Sequence, residues 1–333
     1  MAERGIKGNT NRIRLEEHIP LDTPLHVFLD ASSVCNFRCS FCPHGNGEAA
    51  KVMPQTVMPV ELAKKCIDDL TEFPNRIKRI SFSAVGEPLV NQSLPEIVGY
   101  AKSKDVADCL NITTNASLLT HDMAERLTDA GLNHIDISVY GLNEAAYQQF
   151  SHKQLSFETL VRQVRDCHDL MKTGETVVKI TDAVFHTKAE RDKFYAIFSP
   201  ICDKICVEHA VPFWYDLNSA TEYDGKNIYG EPVCHKEVCP VPFFSLAIHA
   251  NGIATSCCID WKNKGVLGDA RKESVLSIWN GLKHKNVCKA LLKYGTKGIS
   301  PCDHCRYHEL VAMDNIDPYR TELLKRLEGE DAL

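Results

Sequence analysis

Three cysteines, Cys35, Cys39 and Cys42, stand in a C-x3-C-x2-C spacing within the stretch SSVCNFRCSFCPHG. Clustered thiolates bind soft metals, and both a structural zinc site and a fully ligated iron–sulfur cluster take four ligands. No fourth cysteine lies close by. Three thiolates on a four-iron cubane leave one iron open, and an open position is what separates a catalytic metal centre from a structural one. The alternative is a zinc site that borrows a distant cysteine or histidine.

A second set lies near the end of the chain. After Cys239 comes the stretch AIHANGIATSC, which ends in Cys257 and reads as a hairpin turning at Asn251-Gly252. Cys302 and Cys305 then form a C-x2-C pair. Four thiolates close a cluster and leave no iron for a substrate, which favours outer-sphere electron transfer. A four-cysteine zinc ribbon is the alternative. Cys66, Cys109, Cys167, Cys202 and Cys206 fall in or beside expected helices and strands and read as small buried thiols. Cys258 adjoins a member of the second set and reads as packed, unless the reaction needs a hydrogen donor. Cys234 and Cys288 receive no role.

These loops need a scaffold. The chain has 333 residues, a net charge of −6 and 25% charged residues, ordinary values for a soluble globular protein of about two domains. The acidic balance argues against binding nucleic acid by bulk electrostatics, and no apolar run approaches a membrane span. The first residues, MAERGIKGNTNRIRLEEHIP, lack the apolar core of a signal peptide. A reducing cytoplasm is therefore expected, where the odd count of 15 cysteines suits metal or redox ligands better than disulfides.

Strand-like and helix-like segments alternate. Strands are expected at 26–31, 77–84, 108–115, 134–140, 176–185 and 204–211. Helices are expected at 59–72, 93–104, 120–130 (with Thr120 as N-cap), 143–150, 156–172 and 188–198. Six strands, five followed by helices, predict an α/β fold with a parallel sheet, a partial (β/α)6 TIM-like barrel. Site residues in such folds lie at the C-terminal ends of the strands, where the first cysteine set falls. The expected division is an N-terminal extension over 1–25, the barrel over 26–216, a small cysteine-bearing domain over 217–310, and a C-terminal helix and tail over 311–333. The polar stretch DLNSATEYDGKNIYGEP reads as a linker or long loop.

On Cys35-x3-Cys39-x-Phe41-Cys42, with an aromatic residue before the last cysteine, the chain resembles the radical S-adenosylmethionine (SAM) superfamily. The resemblance implies that the open iron chelates the amino and carboxylate groups of SAM. It also implies that one electron cleaves SAM to methionine and a 5′-deoxyadenosyl radical. SAVGEPL (83–89) resembles the family's Gly-Gly-Glu-Pro motif, with Val85 in place of the first glycine. Gly86 would let the backbone approach, and Glu87 would meet the methionine amino group. Asn115 and Ser138 resemble positions that contact the SAM ribose or carboxylate. The second set, Cys239, Cys257, Cys302 and Cys305, with GDARKESVLSIWNG between, resembles a SPASM/twitch domain.

The resemblance thus implies SAM and two [4Fe-4S] clusters, one SAM-binding and one auxiliary, fed by an electron donor such as flavodoxin or ferredoxin. One open and one closed cluster resemble radical SAM dehydrogenases of aminocyclitols, with a small, carbohydrate-like substrate. Radical epimerases, where Cys258 would return a hydrogen atom, and peptide maturases are the alternatives within the superfamily. Outside it the alternatives are a zinc-binding interaction protein and an electron-transfer iron–sulfur protein. The stretch EHAVPFWYDL (208–217) offers His209, Trp214, Tyr215 and Asp216 for a substrate pocket.

Overall fold

The computed structural model describes residues 2–4, 12–217, 223–312 and 314–329. In chain order the strands are β1 (Glu3–Arg4), β2 (His26–Leu29), β3 (Ile77–Ser81), β4 (Ala107–Thr114), β5 (His134–Val139), β6 (Glu175–Thr181), β7 (Lys204–Glu208), β8 (Ser245–Ile248), β9 (Ile253–Thr255) and β10 (Val266–Asp269). The helices are α1 (Leu15–His18), α2 (Glu48–Val52), α3 (Val60–Leu70), α4 (Leu94–Ser103), α5 (His121–Asp129), α6 (Glu144–Ser151), α7 (Phe157–Leu170), α8 (Lys188–Phe198), α9 (Val275–Asn280), α10 (Leu282–Tyr294), α11 (Tyr307–Leu310) and α12 (Arg320–Gly329).

All ten strands join one sheet in the order β1-β7-β6-β5-β4-β3-β2-β8-β9-β10. Pairing is parallel from β1 to β8 and antiparallel through β9 and β10. The two end strands do not pair with each other, so the barrel stays open. The six expected strands are present as a parallel run, each ending before its expected limit, β4 and β5 by a single residue. The residues beyond β2, β3 and β7 turn into the loops that carry the candidate site.

Two additions were not legible. β1 extends the β7 edge, and β8 pairs with β2, so the sheet runs on into the segment that carries the second cysteine set. β8 is four residues long with no helix linking it to β2 in sequence, so no β/α alternation announces its partner. The predicted hairpin is β8–β9, and Gly252 adopts φ +85° at its turn, a conformation that favours glycine. Thr120 caps α5, its hydroxyl accepting the Met123 N–H at 3.2 Å. The expected linker falls in part on residues 218–222, outside those described. Of the expected tail, α12 is present, and 313 and 330–333 lie outside the described residues, as do 1 and 5–11 of the expected extension.

Side chains alternate across each strand. On β5, Ile135, Ile137 and Val139 join the main apolar core under the helices, leaving His134, Asp136 and Ser138 for the other face. On β6, Val178 and Ile180 do the same, leaving Lys179 and Thr181. Over β5 and β6 the inner face of the sheet is thus polar, a lining for a polar ligand. A second core joins the chain ends: Leu15 and Ile19 pack with Leu291, Leu292, Leu323 and Leu327. Arg326 of α12 donates to the Glu16 and Ile19 carbonyls at the C-terminal end of α1.

Candidate active site

The cysteine loop follows β2 and is pinned by its backbone. Arg38 and Ser40 N–H groups donate to the Ser151 and Phe150 carbonyls, which the end of α6 leaves without helical partners. Cys42 N–H donates to the Cys39 carbonyl, and Gly45 N–H to the Cys42 carbonyl. A Cβ at Gly45 would sit 2.0 Å from the Cys39 carbonyl oxygen, so only glycine closes this loop. Gly45 was not singled out from the sequence; its signal was a glycine directly after the metal-ligand spacing.

The three thiols act electrostatically on one another. Burial pushes Cys35 up to about 12, Cys42 up to about 11, and Cys39 well above the ordinary thiol range. Buried thiols of this kind become thiolates only against a positive centre, which iron supplies. The donor set therefore fits a cluster. Among the described residues, no three His, Cys, Asp or Glu side chains close to the geometry of a single metal ion.

The Gly-Glu-Pro turn after β3 packs on this loop. A Cβ at Gly86 would lie 2.0 Å from the Ser32 carbonyl oxygen, and Glu87 N–H donates to the Val34 carbonyl. The Glu87 carboxylate is buried at 3% exposure. Its Oε1 accepts from Leu89 N–H and the Thr114 hydroxyl, and its Oε2 from Asn115 N–H at 2.8 Å. A carboxylate has about four acceptor positions, so one remains. Burial pushes Glu87 up to about 7, and no cation among the described residues offsets it. This buried acid suits a cationic ligand that brings an N–H, as the sulfonium SAM does.

Asn115 lies at the end of β4, bound to Asn36 of the cysteine loop at 2.9 Å and to Ser117. Phe41 and Tyr140 rings lie 5.7 Å apart, Tyr140 also meets Phe37, and the three thiols act on Tyr140 electrostatically. Ser138 hydrogen-bonds Tyr140. Tyr140 was missed as a site residue, though it ends the predicted strand at the rim. Lys179 was also missed; its signal was a lone cation in the Val/Ile strand TVVKIT. Burial disfavours its charge, but Glu208, Asp136 and Cys206 outweigh that and raise its pKa.

Cys239, Cys257, Cys302 and Cys305 likewise converge, each in electrostatic contact with others of the set. Burial raises Cys239 well above the usual range and Cys305 to about 12. This set fits a closed cluster by the same test. Cys258 is buried beside it, hydrogen-bonded to Cys257 and in an apolar group with Phe28, Phe213 and Trp214.

A cavity of about 600 Å³ opens between the two cysteine loops. Asn46 and Glu48 line it from beyond Cys42, and His304 and Arg306 from either side of Cys305. Trp214, Tyr215 and Asp216 complete the wall. Tyr215 is held by Asp260 at 2.5 Å, and Asp216 by Lys262 and Lys264. His209, expected with them, is not part of this wall. Asp182 at 2.6 Å and Asp224 at 3.0 Å hold its two nitrogens; burial opposes its charge, yet the two acids raise its pKa.

Residues 31–194 match the family model described as the Radical SAM superfamily, and residues 239–307 match the SPASM model, an iron–sulfur cluster-binding domain. Among curated proteins, the chain is 30% identical over 135 residues to an Fe-coproporphyrin III synthase of Methanosarcina barkeri, covering 40% of this chain and 32% of that one. It is 31% identical over 123 residues to a probable GTP 3′,8-cyclase of Methanococcus maripaludis, covering 37% and 39%. The matches thus span about a third of the length of these relatives. Among solved structures, BtrN in complex with AdoMet and 2-DOIA matches with TM-score 0.55 and 19% identity, over 84% of this chain and 91% of that one. Streptococcus suis SuiB bound to the precursor peptide SuiA matches with TM-score 0.65 and 13% identity, over 89% and 72%. These structural likenesses speak to the fold.

Proposed function

Because the chain belongs to the radical SAM superfamily and carries a C-terminal SPASM domain, we propose that it oxidises a secondary alcohol of a small sugar-like or cyclitol substrate. Its cofactors are SAM and two [4Fe-4S] clusters. When bound, they supply a 5′-deoxyadenosyl radical for hydrogen abstraction and a closed redox centre for the remaining electron. The observation that carries the substrate class is the cavity between the two cysteine loops, whose volume of about 600 Å³ lies in the range of small-molecule sites. Its wall joins an aromatic face, Trp214, to polar groups at Asn46, Glu48, Asp216 and Arg306, a lining suited to a polyol. The similar fold of BtrN, which holds AdoMet with 2-DOIA, supports the same class.

In this reading Cys35, Cys39 and Cys42 hold the SAM-binding cluster, and Cys239, Cys257, Cys302 and Cys305 the auxiliary one. Gly86 brings backbone against the cosubstrate, and the remaining Glu87 acceptor position takes its amino group. Asn115 and Ser138 bind its ribose or carboxylate, Lys179 offers a buried cation to the carboxylate, and Phe41 and Tyr140 wall the site. Trp214, Tyr215 and Asp216 shape the substrate cavity, and His209 stiffens the rim between β6 and β7.

The burial of Cys258 against Trp214, a cavity residue, favours a second reading, radical epimerisation with Cys258 as hydrogen donor. The test is turnover of candidate polyols in heavy water by the parent and by Cys258→Ala. Oxidation yields a product lighter by two hydrogens, formed equally by both. Solvent deuterium at an inverted carbon, lost in the variant, would replace the proposal with epimerisation. Turnover of a peptide alone would replace both with peptide maturation.

A further inference from the structure

The sheet brings two buried titratable side chains together where the barrel meets the second cysteine set. Asp30 follows β2 and His249 follows β8, and these strands run side by side, Leu29 opposite Ile248. Asp30 is 1% exposed and His249 4%. Asp30 Oδ1 accepts the Ala84 N–H at 3.1 Å, from the loop that leads to Gly86 and Glu87. Its Oδ2 has no hydrogen-bond partner among the described residues and faces His249 Nδ1 at 4.0 Å.

The other side of the imidazole settles its tautomer. His249 Nε2 lies 3.0 Å from the Thr255 hydroxyl oxygen, and Thr255 donates its one hydroxyl proton to the Cys257 carbonyl at 3.0 Å. Thr255 must then accept from His249, so Nε2 carries a proton. Nδ1 then presents a lone pair toward Asp30 Oδ2 at 4.0 Å, too long for a hydrogen bond in this arrangement. One proton taken up on either atom would turn the facing pair into a donor and an acceptor. Burial pushes Asp30 up to about 7 and His249 down to about 4. Asp260 also acts on His249, and is itself held by the Tyr215 hydroxyl and the Lys264 and Gly265 N–H groups.

We propose that Asp30 and His249 form a redox-linked proton site for the auxiliary cluster, taking up one proton when that cluster gains one electron. The balance is one electron from a ferredoxin- or flavodoxin-type donor onto the cluster and one proton from water onto the pair, which passes from carboxylate with neutral imidazole to its singly protonated form. Reoxidation returns both. The proton added to the pair offsets the negative charge added to the cluster, and in a buried setting such charges interact strongly. Thr255 and the Cys257 carbonyl connect the two. The inference needs the auxiliary cluster but no particular substrate, so it stands or falls separately from the proposed alcohol oxidation.

The experiment is a redox titration of the auxiliary cluster in the holoenzyme, followed by electron paramagnetic resonance across about pH 5 to 8. In the parent, the reduction equilibrium constant should fall up to about tenfold per pH unit, the limit for one proton per electron. Asp30→Asn and His249→Gln should flatten the dependence while iron content is kept. A pH-independent parent potential overturns the proposal, and so does a slope that both variants retain. If both variants lose the auxiliary cluster, the reduced-minus-oxidised infrared spectrum of the parent decides. A gained imidazolium or carboxylic acid band supports the site, and no such band overturns it.

Discussion

Glu87 illustrates how a short motif acquires chemistry from its neighbours. Gly-Glu-Pro alone describes a turn, but here three internal donors orient the carboxylate and burial withholds a counter-cation. Glu87→Gln should weaken SAM binding by about ten- to a hundredfold, the worth of one charge-assisted hydrogen bond. Calorimetric titration at neutral pH checks this, with iron content unchanged. The pH dependence has a definite sign. Burial raises Glu87 to about 7, so below that pH the ligand-free acid is protonated and its advantage over glutamine shrinks. The parent-to-variant difference in affinity should grow as pH rises toward about 7. A difference constant from pH 5 upward would remove Glu87 from the binding role. Gly86→Ala acts through shape instead. Its Cβ would overlap the Ser32 carbonyl, so the cysteine loop must move. About half the iron should be lost, as one of two clusters fails to form, which an iron assay reads directly.

At the scale of elements, the two ends of the chain depend on each other. α12 buries Leu323 and Leu327 against α10 and α1, and Arg326 caps α1. Leu323 is fully buried, so Leu323→Ala should cost about 2–5 kcal/mol. Thermal unfolding should show this as a lower midpoint, and an unchanged midpoint would mean that α12 is not part of the cooperative unit. Asp69 of α3 reaches across in a similar way, accepting the Val275 N–H at the start of α9. The barrel helices and the auxiliary segment are thus joined by a buried hydrogen bond as well as by strand pairing.

The ten strands form one continuous sheet, in which the interior strand β2 pairs on both sides. Residues 1–216 expressed alone would leave β2 as an unpaired edge beside an uncovered apolar face, the usual origin of edge-to-edge aggregation. Size-exclusion chromatography should show aggregates, and a monodisperse fragment that still binds SAM would contradict this. In the full chain, changing Cys35, Cys39 and Cys42 together to alanine should leave about half the iron and abolish SAM cleavage. Retention of all the iron would detach the first cluster from this loop.

Much of the molecule follows from local pattern. The spacing of Cys35, Cys39 and Cys42, the paired Cys302 and Cys305, and the six apolar strands are short-range features, written within a few residues of each other. Metal chemistry and β/α alternation are both dictated by such neighbours, so fold class and cluster number were legible before any coordinates. Other features join residues far apart along the chain. The pairing of β8 with β2, the convergence of Asp30 on His249, the removal of His209 from the cavity by Asp182 and Asp224, and the cavity itself all depend on which loops meet above the sheet. Such contacts are set by packing and by buried hydrogen bonds between distant segments. They carry no periodicity and no fixed spacing, so only the tertiary structure decided them.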